Sequence, residues 1–425
     1  MTPTPNDPIV VTGMGAVTPL GVGVATNWER LIAGKSGIRR NDRFDVSALN
    51  CQIAGLVPAK SQDPAGFDPL DFIDPKDIKK MDLFIQYGLG AASEALAQAG
   101  WAPETDAERE ATATIIGTGV GGFPAMTEAA LTLKERGARR LSPFVVPSFL
   151  ANLAAGWISI RYGLRGALGT PVTACAAAAQ AIGDGMRMLR SGEAEVVVCG
   201  GAEGSIDPVT IGGFGAARAL ATAFNDRPTE ASRPFDQARD GFVLAEGSAI
   251  LVIEKLSHAR ARGAKALAIL AGYGTTADAY HLTASPPDGD GAKRAMRLAL
   301  KMAGANPDLV GYVNAHSTST AVGDAAEIAA IGSVFAGRGK DLAISATKSA
   351  TGHLLGAAGA IATIYTIMAL RTGTLPPTLN LDNPDEAAAV FDLVPKVAKA
   401  KAIGHALVNA FGFGGVNASL LIGKA

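Results

Sequence analysis

Cysteine is scarce in this chain of 425 residues: there are three, Cys51, Cys175 and Cys199. Odd in number and widely spaced, they supply neither a disulfide framework nor a CxxC metal site, and they fit a reducing cytoplasm. Aromatic residues are few, at 6%, and histidine occurs five times. Net charge is all but missing. Lys+Arg 38 against Asp+Glu 39, interspersed along the chain, exclude a nucleic-acid surface or a polybasic membrane surface, so a partner site has to be a local patch. Residues 1–8 are polar and proline-rich and lack the basic start and apolar centre of a signal peptide. One uncharged stretch, residues 349–370, is long enough to span a bilayer. His353, several glycines and the threonines Thr351, Thr363 and Thr366 interrupt it, which favours a buried core helix over a membrane span.

What is present is small and apolar. A hydrophobic share of 48% and 51 glycines suit buried parallel strands, tight turns and closely packed helices. The length exceeds one ordinary core, so two domains or one duplicated α/β domain are expected. Residues 9–18 read as a buried strand entering a glycine turn, and residues 21–34 as a helix. Gly13-Met-Gly15 invites a dinucleotide reading, but the third glycine and the downstream acidic residue are out of register. Residues 40–80 read as loops and short helices. A helix over 82–99 and strands over 111–119, 195–201 and 249–254 follow; Cys199 falls inside a strand as a core residue, and residues 258–265 close a helix that leaves His258 exposed. After residue 266 the alternation restarts, with strands over 267–273, 310–314, 342–345, 406–409 and 419–422 and helices over 291–303, 324–335 and 349–370. The second half looks like a re-run of the first, giving units 9–265 and 266–425.

The chain is organised around Gly169-Thr-Pro-Val-Thr-Ala-Cys175-Ala-Ala-Ala-Ala-Gln180. A β-like run delivers a cysteine into a turn that opens an alanine-rich helix, over free N–H groups that favour thiolate. On its own such a cysteine is more often a small core residue. Two of the five histidines, His316 and His353, lie in glycine- or threonine-rich turns directly after strands, where α/β folds gather catalytic side chains. Three such junctions point to one pocket. The same trio could bind zinc, but Lys348 lies beside His353 in sequence and would repel a cation.

Thr173-Ala-Cys175, Asn314-Ala-His316-Ser-Thr318-Ser-Thr320, Thr347-Lys348-Ser-Ala-Thr-Gly-His353-Leu-Leu-Gly-Ala-Ala-Gly359 and Asn409-Ala-Phe-Gly-Phe413-Gly-Gly415 resemble the β-ketoacyl-acyl-carrier-protein synthases. The match is to the type II, elongating condensing enzymes, and it extends over residues 9–422. It implies a thiolase-like αβαβα five-layer sandwich with duplicated halves, and a homodimer or a heterodimer with a paralogue. It implies no cofactor and no metal. By the same resemblance Cys175 carries the acyl group, the N–H groups of Cys175 and Phe413 form an oxyanion hole, His316 and His353 drive decarboxylation of malonyl-carrier protein, and Lys348 orients them. Thr318, Thr320, His281 and Thr283 are implied for the pantetheine arm, Phe413 as a gate, and Val120 and Phe214 for the acyl tunnel. Lys79, Lys80, Arg139, Arg140 and Arg218 match a basic patch for the acidic carrier protein.

Four departures stand out: Ser317 replaces a usual glycine, Val416 a threonine, Ala176 to Ala179 a more polar run, and Ala362 a glutamate that helps order the lysine. They suggest a specialised paralogue. A chain-length-setting partner subunit is the competing reading, weakened by Cys175, which such subunits lack. A thiolase would need a second reactive cysteine late in the chain, and none follows Cys199.

Overall fold

The two glycines of Gly13-Met-Gly15 are a packing device. In the computed structural model, which describes residues 7–425, strand β1 (Ile9–Thr18) passes so close to helix α1 (Leu83–Ala99) that a Cβ at Gly13 or Gly15 would lie 2.0 or 1.9 Å from the carbonyl oxygens of Ala95 and Ala91. The same device recurs. Gly272 and Gly274 on β6 (Ala268–Ala277) meet the carbonyls of Ala299 and Ala295 on α3 (Asp290–Ala303), each at 2.0 Å.

That repetition extends to the whole topology. Strands β1, β2 (Thr112–Gly117), β3 (Leu168–Gly169), β4 (Val196–Glu203) and β5 (Gly247–Lys255) lie in the order β3-β2-β4-β5-β1. Strands β6, β7 (Val310–Asn314), β8 (Ala343–Ser345), β9 (His405–Gly412) and β10 (Val416–Gly423) lie in the order β8-β7-β9-β10-β6. In each set the first two pairings are parallel and the last two antiparallel. The sets join edge to edge where β1 pairs antiparallel with β6, Ile9 opposite Leu270 and Val11 opposite Ala268.

Helix α1 covers the outer face of the first set and α3 that of the second, with α4 (Ala321–Val334) packed beside α3. Between the sets lie α2 (Ala177–Ser191), on β2 and β4, and α5 (Ala358–Thr372), on β9, packed against one another. The result is five layers in the order helix, sheet, helix, sheet, helix. Strands β4 and β5 are buried along almost their whole length, as strands covered on both faces must be.

Two expectations are corrected, and the burial of the apolar stretch is borne out. Residues 349–370 are not one helix: a short helix, Lys348–Thr351, stops at Gly352 (φ +73°), and α5 starts only at Ala358. The break exists because the His353 backbone pairs with Val243 and Ala245, its N–H donating to one and its carbonyl accepting from the other. The apolar stretch Leu355–Thr372 is mostly buried within the fold, which accounts for its hydropathy without a bilayer. Finally, His258 is half-buried, because the buried carboxylate of Glu254 draws in its Nδ1 at 2.6 Å together with Arg262.

Candidate active site

The Cys175 turn is built by backbone. Thr173 leads into a 3-10 turn over Ala174–Ala176 in which Ala174 takes φ +49°, and α2 follows at once. A positive φ at a non-glycine residue is uncommon, and here it falls on the residue just before Cys175. The end of β9 closes on this turn: a Cβ at Gly412 would lie 2.7 Å from the Thr173 carbonyl oxygen and 3.3 Å from the nitrogen of Cys175. Only glycine allows that approach, and it brings the N–H of Phe413 to the sulfur beside the N–H of Cys175 itself.

His316 follows β7 and His353 follows β8, so both arrive from the second set of strands. One ligand atom each from Cys175, His316 and His353 lie within 4.8 Å of one another. His353 Nε2 is 2.9 Å from Cys175 Sγ, and the two imidazoles meet edge to face with ring centres 5.4 Å apart. Cys175 belongs to an apolar cluster that includes Ile206, Ile211, Leu220, Phe242 and Leu355, with Phe214 packed on it.

Burial decides the charges. Cys175 is 9% exposed, and desolvation pushes its thiol up to about 12 although Lys348 and the two N–H groups pull the other way. The resting thiolate expected from the helix terminus is thus overturned: the dipole is present, but the apolar cluster outweighs it. Both imidazoles are held well below the usual histidine range, first by burial and then by the Lys348 ammonium, so they are neutral at pH 7. Lys348, 5% exposed, is lowered to about 8 by burial, against the through-space pull of Glu327, Cys175 and Asp324. Its positive charge opposes a metal ion at the Cys175, His316 and His353 atoms.

Glu327 was not legible in the sequence. Its carboxylate accepts from the N–H of His316 (2.8 Å), the N–H of Ser317 (2.6 Å), the Ser317 hydroxyl (2.8 Å) and Asn409 Nδ2 (2.9 Å). The only signal was a carboxylate one turn after Asp324 in a helix otherwise built of small and apolar residues. Ser317 therefore adds a side-chain donor that a glycine could not. Glu327→Ala strands these buried donors and is expected to cost about 3 kcal/mol or more of stability, read as a lowered denaturant midpoint at unchanged slope. Ala362 is buried, and its carbonyl accepts from Asn314 Nδ2 at 3.2 Å.

The remaining residues from the sequence divide into groups. Thr318 and Thr320 lie together, hydroxyls 3.2 Å apart, in the turn after His316. His281 and Thr283 are on an exposed loop whose Leu282 carbonyl accepts from the Gly414 N–H, next to Phe413. Phe413 is 40% exposed and its ring centre is 6.4 Å from that of Phe214. Val120, by contrast, is 43% exposed and outside the apolar cluster at the sulfur. Lys79 and Arg140 line a cleft of about 500 Å³ with Arg136 and Phe144. Lys80 pairs with Asp77 and sits 5.3 Å from the Phe144 ring centre. Arg139 is exposed beside Arg140, and Arg218 is exposed on a different segment and does not line that cleft.

With this geometry in hand, comparison with known proteins places the chain. Residues 6–259 match the model of the beta-ketoacyl synthase N-terminal domain and residues 267–382 that of the C-terminal domain. A 3-oxoacyl-(acyl-carrier-protein) synthase 2 of Rhizobium meliloti is 47% identical over 414 residues, covering 97% of this chain and 98% of the relative. Among solved structures, the ishigamide ketosynthase/chain length factor superposes with a TM-score of 0.90 at 32% identity, over 99% of both chains. A type II PKS acyl-carrier protein in complex with its ketosynthase, bound to the hexaketide, gives 0.88 at 30% identity, over 99% of this chain and 100% of that one. The duplicated five-layer architecture is thus thiolase-like, and the chain belongs to the beta-ketoacyl synthase family.

Proposed function

We propose that the chain is an acyltransferase, a 3-oxoacyl-acyl-carrier-protein synthase. It joins an acyl group held on Cys175 to malonyl-acyl-carrier protein, with loss of CO2, in fatty-acid or specialised lipid synthesis. The observation that carries this reading is the meeting of Cys175 Sγ with His353 Nε2 at 2.9 Å and His316 within the same 4.8 Å group. The nucleophile belongs to unit 9–265 and the histidines and Lys348 to unit 266–425.

In the first half-reaction the neutral His353 Nε2 takes the thiol proton as Sγ attacks the acyl thioester, and the proton goes on to the leaving carrier thiolate. The N–H groups of Cys175 and Phe413 face the oxyanion that forms. In the second, loss of CO2 leaves an enolate whose oxygen needs donors; His316 and His353 supply two, and the Lys348 charge adds to them. The carbanion attacks the acyl-cysteine and gives a 3-oxoacyl product two carbons longer. Among the described residues Nδ1 of neither histidine has a hydrogen-bond partner.

The carrier protein is read as docking on Lys79, Lys80, Arg139, Arg140 and Arg218, with its arm passing His281, Thr283, Thr318, Thr320 and Phe413, and Val120 and Phe214 along the acyl path. Exposed Met126, Val146 and Ile160, with β3 at the free end of its sheet, support assembly as a homodimer or with a paralogue. Three free, buried cysteines support a cytoplasmic setting. The partner-subunit reading is disfavoured, since the sulfur and both imidazoles are present and assembled.

The deciding measurement is intact-protein mass after incubation with acyl-carrier protein, then product analysis with malonyl-carrier protein. An acyl adduct on Cys175 and a 3-oxoacyl product are expected; an unmodified, folded chain would refute the proposal. A pH profile adds a second check. Lys348 loses its proton as pH rises through about 8, so malonyl decarboxylation should fall above that pH. In Lys348→Arg, whose guanidinium stays charged, the fall should vanish or move upward.

A further inference from the structure

The turn that carries Cys175 has a twin. Ala174–Ala176 and Leu355–Ala357 are both three-residue 3-10 turns opened by a non-glycine residue at positive φ, +49° at Ala174 and +40° at Leu355. Each feeds a 15-residue helix, α2 or α5, that ends on a left-handed glycine, Gly192 or Gly373. Cys175 and Gly356 therefore hold the same place in the duplicated fold.

Their surroundings correspond as well. Beside Cys175, the second N–H comes from Phe413, one residue past the eight-residue strand β9. Beside Gly356 the corresponding position is Gly204, one residue past the eight-residue strand β4, and the second N–H comes from Gly119. The fold thus makes two anion holes. The second is filled by the chain itself: Glu203 is fully buried, and its Oε2 accepts from the N–H of Gly356 at 3.1 Å and of Gly119 at 2.8 Å, while its Oε1 accepts from the Ser205 hydroxyl at 2.6 Å. Nothing larger than glycine fits at position 356, where a Cβ would lie 2.1 Å from the Gly119 nitrogen.

Glu203 ties together the loop at 118–119 after β2, the segment 204–206 after β4, and the turn at 355–357. Two of these place side chains in the apolar cluster that contains Cys175, Ile206 and Leu355. We propose that Glu203 is a positioning residue for acyl-chain selection, clamping through this internal anion hole the segments that contribute those side chains. The proposal rests on the condensing-enzyme reading and adds to it a determinant that never touches substrate. A carboxylate suits the task because it accepts from several backbone donors at once, whereas an amide offers one acceptor oxygen and turns an N–H against N–H groups.

The test uses the full chain with Glu203→Ala and Glu203→Gln, acyl-carrier proteins loaded from hexanoyl to hexadecanoyl, and Cys175 acylation rates as the readout. In Glu203→Ala the kcat/KM ratio between the best and worst chain should change by about tenfold. Added formate, a carboxylate that fits the vacated hole, should restore it. Glu203→Gln should shift the ratio in the same direction. A folded variant with the wild-type ratio overturns the proposal, and so does a shifted ratio that formate leaves untouched. If Glu203→Ala does not fold, the near-isosteric Glu203→Gln decides alone: a wild-type ratio overturns the proposal. Wild-type protein that no acyl chain modifies would instead sink the underlying reading.

Discussion

Cys175→Ala is expected to abolish condensation, with turnover reduced by about 10⁴-fold or more, while decarboxylation of malonyl-carrier protein continues. The division follows from where the groups come from. The sulfur is supplied by the turn before α2, whereas His316, His353 and Lys348 stand on segments after β7 and β8 and stay in place when the sulfur is removed. Product analysis for the 3-oxoacyl chain, run beside CO2 release, separates the two activities. Cys51 and Cys199 are buried away from the two imidazoles, Cys51 with its thiol on the Ile53 carbonyl and Cys199 inside β4, so neither has a base at hand and neither can take over. Condensation persisting in the alanine variant, or an acyl adduct on either of those cysteines, would refute the assignment.

The second large effect separates the histidines. His316→Ala and His353→Ala each remove one donor to the enolate oxygen, and each should lower decarboxylation by about 10²–10³-fold. Only His353 contacts the sulfur, at 2.9 Å. Acyl transfer to Cys175 should therefore slow sharply in His353→Ala and change little in His316→Ala. Stopped acylation assays with both variants read this directly, and equal slowing in the two would contradict the distinct roles.

The reactive trio was legible because each member sits where an apolar run meets a turn of small or hydroxyl residues, a local pattern visible without coordinates. The duplicated order of strands was legible in outline for the same reason. What lay beyond the sequence is long-range. Glu203 gains its meaning from N–H groups 84 and 153 positions away. Glu327 stands in a helix whose neighbours give no sign that His316 will lean on it. The protonated resting thiol depends on apolar side chains drawn from separate segments, Ile206, Phe242 and Leu355 among them, so a helix terminus alone misjudged the sulfur. The break at Gly352 was hidden because its cause, pairing of His353 with residues 243 and 245, is a contact between distant parts of the chain.

The alanine run after Cys175 bears on how such a protein can change. Ala176, Ala177, Ala178 and Ala179 are all fully buried, and Gly359 of α5 comes so near Ala179 that a methyl there would meet its nitrogen at 2.8 Å. Two helix backbones rest on one another with only methyl groups as spacers, the sulfur sits in the turn that opens α2, and His353 lies in the segment just before the turn that opens α5. A bulkier side chain at position 179 would pry the reacting atoms apart before it altered any surface. Diversification of the acyl group has to come from the outer walls, because the hinge between nucleophile and base has no slack left to give.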